Sequence, residues 1–483
     1  MSLLALFLLL TLSSAQKPKN YVIMFADDFG YGDSSVFGHP TIRTPSMDRL
    51  AREGIRFNRW YSANPVCSPS RAALMTGRLS ARTGMSRCMP TGGDGVFNPP
   101  SIGGLPDNET TIAELLKKKG FATQIVGKWH LGINEFNSTD CVHCPLQHGF
   151  DHYLGLPFSN SEQCADEDNP LRCFLYENNT LIEQPTDYTN ISFRLLNRAL
   201  EFMTENKDGP FFLYYPFLHT HIQLFASKMF LNTSRRGFFG DNAEEMDYCI
   251  GEVLDHLVSL GIDKDTLVFF TSDNGPWLQK NVSGGSSGLL RGGKFQTWNG
   301  GIMEPSFAWW PGTITAGRMS MELTNSMDIM ATIADFEETT PPNPLDGKSI
   351  KSILLDETAK TPHEFMFHYC GCHLMAVTHG AYKAHYITQD VLVTNCMGDG
   401  VQTHDPPLLF DSLRDPSEKY PLTEAMDTNY SSVLATIEAA VKEHKANLNP
   451  APSQQNRGEN KDLQPCCNPP HCCCGPACHK VIE

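Results

Sequence analysis

The chain has 483 residues, of which 41% are hydrophobic and 19% charged, with 38 glycines and 32 prolines. This usage excludes collagen, coiled coil and wholesale disorder, and predicts a folded, loop-rich protein with a sizeable core. The formal net charge of -16 opposes a nucleic-acid or anionic-membrane partner, because either needs a basic face to offset phosphate charge. An anionic ligand would require basic residues concentrated at its site.

At the N-terminus, the unbroken apolar stretch Leu3–Leu10, followed by Ser13, Ser14 and Ala15, predicts a signal peptide at 1–15 with removal after Ala15. No later run approaches the roughly 18 consecutive apolar residues of a membrane span, so none is expected. Seven Asn-X-Ser/Thr sequons and 16 cysteines agree with the secretory pathway, with lysosome and extracellular space favoured over the ER lumen. Cys141-Val142-His143-Cys144 and the tail cysteines Cys466–Cys478 have zinc-ligand spacing, but an oxidising compartment favours disulfides. Cys249 reads as a buried free thiol. With Cys249 and Cys67 set aside, fourteen cysteines remain, an even number.

Along the chain, four short apolar runs each end in ionisable residues. Tyr21–Ala26 leads into Asp27-Asp28, Ala122–Val126 into Lys128 and His130, Phe211–Phe217 into His219 and His221, and Thr266–Thr271 into Asp273-Asn274. Helical patterns lie between them: Ser46–Glu53, Thr111–Lys119, Ser192–Asn206 and Ala243–Leu260. This alternation predicts an α/β fold with a large, mostly parallel central sheet covered by helices on both faces. Ligands of such sheets bind beyond the carboxyl ends of the strands, where the four clusters would converge. The proline-rich stretch Thr339–Pro344 follows a helix at Met327–Phe336 and marks a boundary. Beyond it, β-like pieces at Glu364–Tyr369, Met375–Thr378 and Tyr382–Ile387 and a helix near Ser431–His444 predict a small antiparallel sheet with one helix. The expected layout is a catalytic domain at 16–338, a smaller α+β subdomain at 339–450 and a cysteine-rich tail at 451–483.

The most specific signal is Cys67-Ser68-Pro69-Ser70-Arg71, continued by Thr76-Gly77-Arg78. Here the chain resembles the sulfatase family, whose signature directs oxidation of the cysteine to Cα-formylglycine during secretion. Gly127-Lys128-Trp129-His130-Leu131-Gly132, Ser272-Asp273-Asn274-Gly275 and Gly292-Gly293-Lys294 occur in the family's order. His148-Gly149-Phe150 and His404-Asp405-Pro406-Pro407-Leu408-Leu409-Phe410-Asp411 look similar to the steroid-sulfatase-like arylsulfatases. Membrane-bound steroid sulfatase carries a hydrophobic hairpin between the regions of Cys164 and Ser192, whereas this chain has a short polar segment there. That difference argues against membrane attachment and a steroid substrate.

The resemblance implies an alkaline-phosphatase-like fold and hydrolysis of sulfate esters through a formylglycine-hydrate nucleophile and a covalent sulfo-enzyme intermediate. It implies one divalent cation, Ca2+ by preference with Mg2+ possible, held by Asp27, Asp28, Asp273, Asn274 and position 67; hard oxygen donors suit either ion. Cys67, Arg71, Lys128, His130, His221 and Lys294 are the expected catalytic set. His130 is the expected base, and His221 is the expected acid that protonates the leaving oxygen. His219 is the alternative acid, since residues two apart on an extended segment share a face. Lys128, His221, Lys294 and Ser159 are expected to bind substrate, a small-molecule or glycan sulfate ester. The formylglycine-generating enzyme is the expected biosynthetic partner, and homo-oligomerisation stays open. Two competing readings are a two-zinc phosphatase of the same superfamily and a secreted glycoprotein without turnover. The Asp-Asn pair at 273–274 and the occupied catalytic positions argue against them.

Overall fold

The strand Asn20–Ala26 is buried along its whole length, and its side chains alternate between two apolar layers. Tyr21, Ile23 and Phe25 face a core shared with the helices Cys67–Thr76, Ile112–Lys117 and Asp328–Phe336. Val22, Met24 and Ala26 face a second core, shared with Pro45–Glu53, Ile191–Glu205 and Phe238–Ser259. The helices thus cover both faces of one sheet. The computed structural model describes residues 17–88, 95–160, 173–390, 395–398 and 400–465; the signal peptide expected at 1–15 and Cys466–Cys478 lie outside them.

The central sheet has ten strands among the described residues. Their spatial order is Arg318–Ser320, Ile55–Phe57, Ser306–Trp309, Thr266–Ser272, Asn20–Ala26, Phe211–Pro216, Ala122–Val126, His152–Gly155, Leu175–Glu177 and Thr180–Glu183. The four predicted strands are neighbours at its centre and pair in parallel. Ser306–Trp309 and the strands after His152–Gly155 run antiparallel, so the sheet is mixed at its margins. Those marginal strands span only three or four residues, too short for a period-two signal in the sequence.

A separate four-stranded antiparallel sheet follows, made of Phe365–Cys370, His373–His379, Tyr382–Gln389 and Val401–Asp411. The helix Tyr430–Asn447 packs Val433, Leu434, Ile437 and Val441 against Val377, Ala384 and Leu409 of this sheet. Its fourth strand was not expected, because Pro406 and Pro407 cannot donate to a ladder; it lies at the sheet edge, where proline is tolerated. The helix expected from Ala243 starts earlier, at Phe238. Gly240 and Asn242 are weak helix formers and hide the first turn from the pattern, while burial of Phe239 holds it in place.

Cys141–Cys144 and Cys370–Cys396 form disulfides, so zinc ligation by the Cys141-Val142-His143-Cys144 string is set aside. Cys173 is disulfide-bonded as well. Cys249 is a buried free thiol, as expected. Cys88 and Cys372 are unbonded too, which departs from full pairing of the remaining cysteines. No helix among the described residues is long and apolar enough to cross a membrane.

Candidate active site

Strand register brings the ionisable clusters together. Ala26 pairs with Ser272 and Phe25 with Pro216, so Asp27 and Asp28 emerge beside Asp273 and Asn274. Backbone bonds continue past the strands: the Asp273 amide donates to the Ala26 carbonyl (3.1 Å), the Asp27 amide to His219 (2.7 Å) and the Lys128 amide to Pro216 (2.9 Å). Gly127 permits the last of these. Its φ is 125°, and a Cβ there would lie 1.8 Å from the Pro216 oxygen.

Cys67 opens a ten-residue helix that is buried on every side, and Arg71 follows one turn later on the same face. Cys67 Sγ lies 3.5 Å from Asp27 Oδ1 and 3.9 Å from Asp28 Oδ1. The Arg71 guanidinium donates to Asp273 Oδ2 through Nε (3.0 Å) and Nη2 (2.7 Å), with Nη2 also 3.3 Å from Asp27 Oδ1. Lys128 Nζ donates to Asp27 Oδ2 (2.5 Å) and to Ser159 Oγ (2.9 Å). Lys294 Nζ lies 2.7 Å from Asp28 Oδ1. Three buried carboxylates therefore face three buried cations, a balance that keeps the charges affordable away from water.

One oxygen each from Asp27, Asp28 and Asp273 lies with Cys67 Sγ inside a sphere of mutual distances of 4.8 Å. Asn274 Nδ2 donates to Asp28 Oδ1 (2.7 Å), while Asn274 Oδ1 is buried without a hydrogen-bond partner among the described residues. An orphaned carbonyl oxygen beside three carboxylates is the donor set of a hard divalent cation, so these residues fit such an ion. Arg71 Nη1 and His130 Nδ1 are likewise buried and unpartnered.

The two histidines differ in which nitrogen is free. His130 Nε2–H donates to the Phe97 carbonyl (3.1 Å), which leaves the lone pair of the neutral ring on Nδ1. Burial, then Lys128 and Arg71, holds the His130 pKa well below its usual range. His221 Nδ1–H donates to the Ile222 carbonyl, and Nε2 sits 3.7 Å from Asp28 Oδ2. Burial, then Lys294, lowers the His221 pKa to about 3. Burial and Asp273 push the Cys67 thiol well up, so an unmodified Cys67 would be neutral and weakly nucleophilic.

His219 does not join the cluster. Its Nε2 meets Ser192 Oγ at 3.0 Å and faces Glu245, on the side of the helices Ile191–Glu205 and Phe238–Ser259. The expectation that His219 and His221 share a face fails because the strand ends at Pro216 and the Thr220 amide turns back to the Asp27 carbonyl (2.6 Å). The other expected site residues, Ser159 included, lie together.

Four residues around the cluster were not read from the sequence. Trp277 packs its ring 5.6 Å from that of His221, with Lys294 Nζ 4.5 Å from the Trp277 centroid. Asn160 Nδ2 donates to the carbonyls of His221 (2.9 Å) and Gln223 (2.8 Å). Gln389 Nε2 donates to the Phe295 carbonyl (2.6 Å), and Lys383 Nζ to Thr297 (2.8 Å), so the C-terminal sheet grips the segment carrying Lys294. A tryptophan three residues past Asn274, beyond a Gly-Pro turn, was the available signal; Asn160 and Gln389 gave none. Asp28 (φ 57°), His130 (φ 63°) and Phe295 (φ 72°) all hold left-handed backbone, which clusters at functional sites because it must be held by its surroundings.

The fold and the carboxylate–lysine–histidine cluster define a hydrolase of the alkaline-phosphatase-like superfamily. The sulfatase family profile matches residues 19–336, and that of the C-terminal region of aryl-sulfatase matches residues 361–474. The chain belongs to the sulfatase family, enzymes that hydrolyse sulfuric esters. It is 43% identical to an arylsulfatase of Hemicentrotus pulcherrimus (96% of this chain, 87% of the relative) and 37% identical to arylsulfatase A of Bos taurus (95% and 96%). It is 34% identical to the steryl-sulfatase of Homo sapiens, over 94% of this chain and 92% of the relative. The solved PsFucS1 sulfatase from Pseudoalteromonas sp. superposes with a TM-score of 0.77 at 26% identity, covering 92% of each chain.

Proposed function

We propose that this protein is an arylsulfatase-type enzyme that releases inorganic sulfate and an alcohol or phenol from a small-molecule or glycan sulfate ester. The observation that carries the reading is Cys67, in its complete Cys-Ser-Pro-Ser-Arg string, buried against Asp27 and Asp28 amid Arg71, Lys128 and Lys294. In the proposed mature enzyme the formylglycine-generating enzyme has converted Cys67 to Cα-formylglycine. Its hydrate supplies one hydroxyl to attack sulfur and a second whose collapse to the aldehyde expels sulfate. Asp27, Asp28, Asp273, Asn274 and position 67 would hold one divalent ion, Ca2+ in preference to Mg2+. When bound, that ion supplies positive charge opposite the anionic ester.

The remaining roles follow from the side chains. Arg71 and Lys128 orient the carboxylates and add charge to the floor of the site, and Lys294, Lys128 and Ser159 bind the ester's sulfate oxygens. His130, neutral and with Nδ1 free, accepts the proton as the hydrate collapses. His221 protonates the leaving oxygen from Nε2. Burial, then the Lys294 and Lys128 charges, keeps free His221 neutral, so it takes up its proton as the anionic substrate binds and offsets those charges.

The proposed layout places catalysis in 16–338, a supporting subdomain in 339–450 and a disulfide-rich tail in 451–483, in a glycoprotein of the secretory pathway. The disulfides Cys141–Cys144 and Cys370–Cys396 support that compartment. The test is turnover of 4-nitrophenyl sulfate against 4-nitrophenyl phosphate by the mature chain. Sulfate should be the faster substrate; faster phosphate hydrolysis would favour the phosphatase reading.

A further inference from the structure

A pair of free thiols lies away from the proposed catalytic cluster, where the segment after the Ser80–Thr83 helix meets the C-terminal sheet. Cys370 and His373 bound a tight turn between two strands of that sheet, with Gly371 and Cys372 at its tip. Gly371 holds left-handed backbone (φ 58°), and a Cβ there would lie 2.5 Å from the Arg87 carbonyl oxygen. Only glycine lets the turn approach so closely. The approach brings the next residues, Cys88 and Cys372, near each other, and each thiol acts on the titration of the other. Both are half-buried and unbonded, whereas Cys370, two residues away, is already oxidised to Cys396. Oxidising conditions that form one bridge reach the other.

We propose that Cys88 and Cys372 form a disulfide in the mature protein, stapling the segment after the Ser80–Thr83 helix to the turn of the C-terminal sheet. The chemistry is thiol–disulfide exchange with a disulfide-bearing oxidoreductase or small-molecule disulfide of the secretory pathway. The Cys372 thiolate attacks the oxidant's disulfide and releases one thiolate. The Cys88 thiolate then attacks the mixed disulfide at the Cys372 sulfur and releases the second. Two protein thiols are oxidised, and one disulfide of the oxidant is reduced to two thiols. Cys372 is the attacking group, because the neighbouring Cys88 thiol, and after it His373, holds its pKa down to about 5.

The segment carrying Cys88 is also anchored to residues 453–456, which hold it in place beside the turn. The Cys88 amide donates to Asn456 Oδ1 (3.2 Å), Ser453 Oγ to the Ser86 carbonyl (2.6 Å), and the Gln454 amide to Gly84 (2.8 Å). Closing so long a loop constrains the unfolded chain, a stabilisation separate from any contact in the folded protein.

The test uses the full secreted chain, denatured and alkylated without prior reduction, then digested and mapped by mass spectrometry. In the wild type, Cys88 should escape alkylation and appear linked to the peptide carrying Cys372. Cys372→Ser should free Cys88 for alkylation while Cys370 and Cys396 stay linked, and Cys88→Ser should free one thiol in the Cys372 peptide. Each variant should keep its activity and lose on the order of 5 °C in thermal midpoint. Alkylated Cys88 in the never-reduced wild type would overturn the proposal, as would Cys88 remaining linked to another cysteine in Cys372→Ser.

Discussion

Gln389 and Phe295 tie the C-terminal sheet to the candidate active site. The Gln389 amide donates to the Phe295 carbonyl at 2.6 Å, and Phe295 holds left-handed backbone directly after Lys294. The Phe295 amide is fixed in turn to the Pro65 carbonyl (2.9 Å), two residues before Cys67. Lys294 and position 67 are therefore set by one short relay, part of which belongs to the second sheet.

Gln389→Leu keeps much of the volume and removes the donor, leaving a buried carbonyl that costs about 1–3 kcal/mol. Lys294 should shift, kcat/KM should fall about tenfold, and inhibition by inorganic sulfate should weaken in parallel. A fall in thermal midpoint with unchanged kinetic constants and unchanged sulfate inhibition would mean that Gln389 serves folding alone.

His221→Ala should matter most when the leaving alkoxide is poor. The expected loss is small on 4-nitrophenyl sulfate and about 100-fold or more on an unactivated sugar or alkyl sulfate. Equal losses on both substrates would show that His221 binds sulfate without protonating the leaving group. His219→Ala should disturb stability more than the leaving-group dependence, because its ring is held by Ser192 beside Glu245.

Elemental analysis of the purified chain should find one calcium or magnesium ion and no stoichiometric zinc, as an all-oxygen donor set requires. Asp273→Asn should lose the ion. It also strips Arg71 of its bidentate partner, and breaking a buried pair from one side costs about 3–5 kcal/mol. Two zinc ions per chain would contradict the single hard-cation site.

Acid should loosen the grip of the C-terminal sheet. Glu418 receives Lys383 Nζ (3.0 Å), His385 Nε2 (2.7 Å) and the Asn299 amide (2.6 Å), all buried. Burial alone would raise the Glu418 pKa, but Lys383 and His385 outweigh it and hold it down to about 2 from 4.5. Burial lowers His385 to about 4 from 6.5, with Glu418 opposing. Both folded values lie below the unfolded ones, so both contributions are present at neutral pH and are lost as pH falls. His385 loses its contribution between pH 6.5 and 4, and Glu418 between 4.5 and 2. Urea denaturation at pH 7 and pH 4 should show lower stability at pH 4, with a flatter pH slope in His385→Gln.

The central strands and most residues of the candidate site were legible because their signals are local. A buried strand reads as an apolar run, and its ionisable end follows at once, as in Tyr21–Ala26 with Asp27-Asp28. Lys294 was legible only through the family string Gly292-Gly293-Lys294, since no strand carries it. What escaped depends on tertiary placement. Gln389 meets Phe295 across 94 residues, and nothing near either residue signals the pairing. His219 looked equivalent to His221 because alternation was assumed past Pro216, where the backbone instead turns to bond Asp27. The edge strand Val401–Asp411 was hidden by its own prolines, which only an edge tolerates.

The mass of the tryptic peptide Trp60–Arg71 from the secreted protein tests the formylglycine reading most directly. The expected peptide has lost H2S and gained O relative to the thiol form, does not react with iodoacetamide, and is captured by a hydrazine through its aldehyde. An intact, alkylatable Cys67 thiol in fully active enzyme would contradict the proposed mechanism.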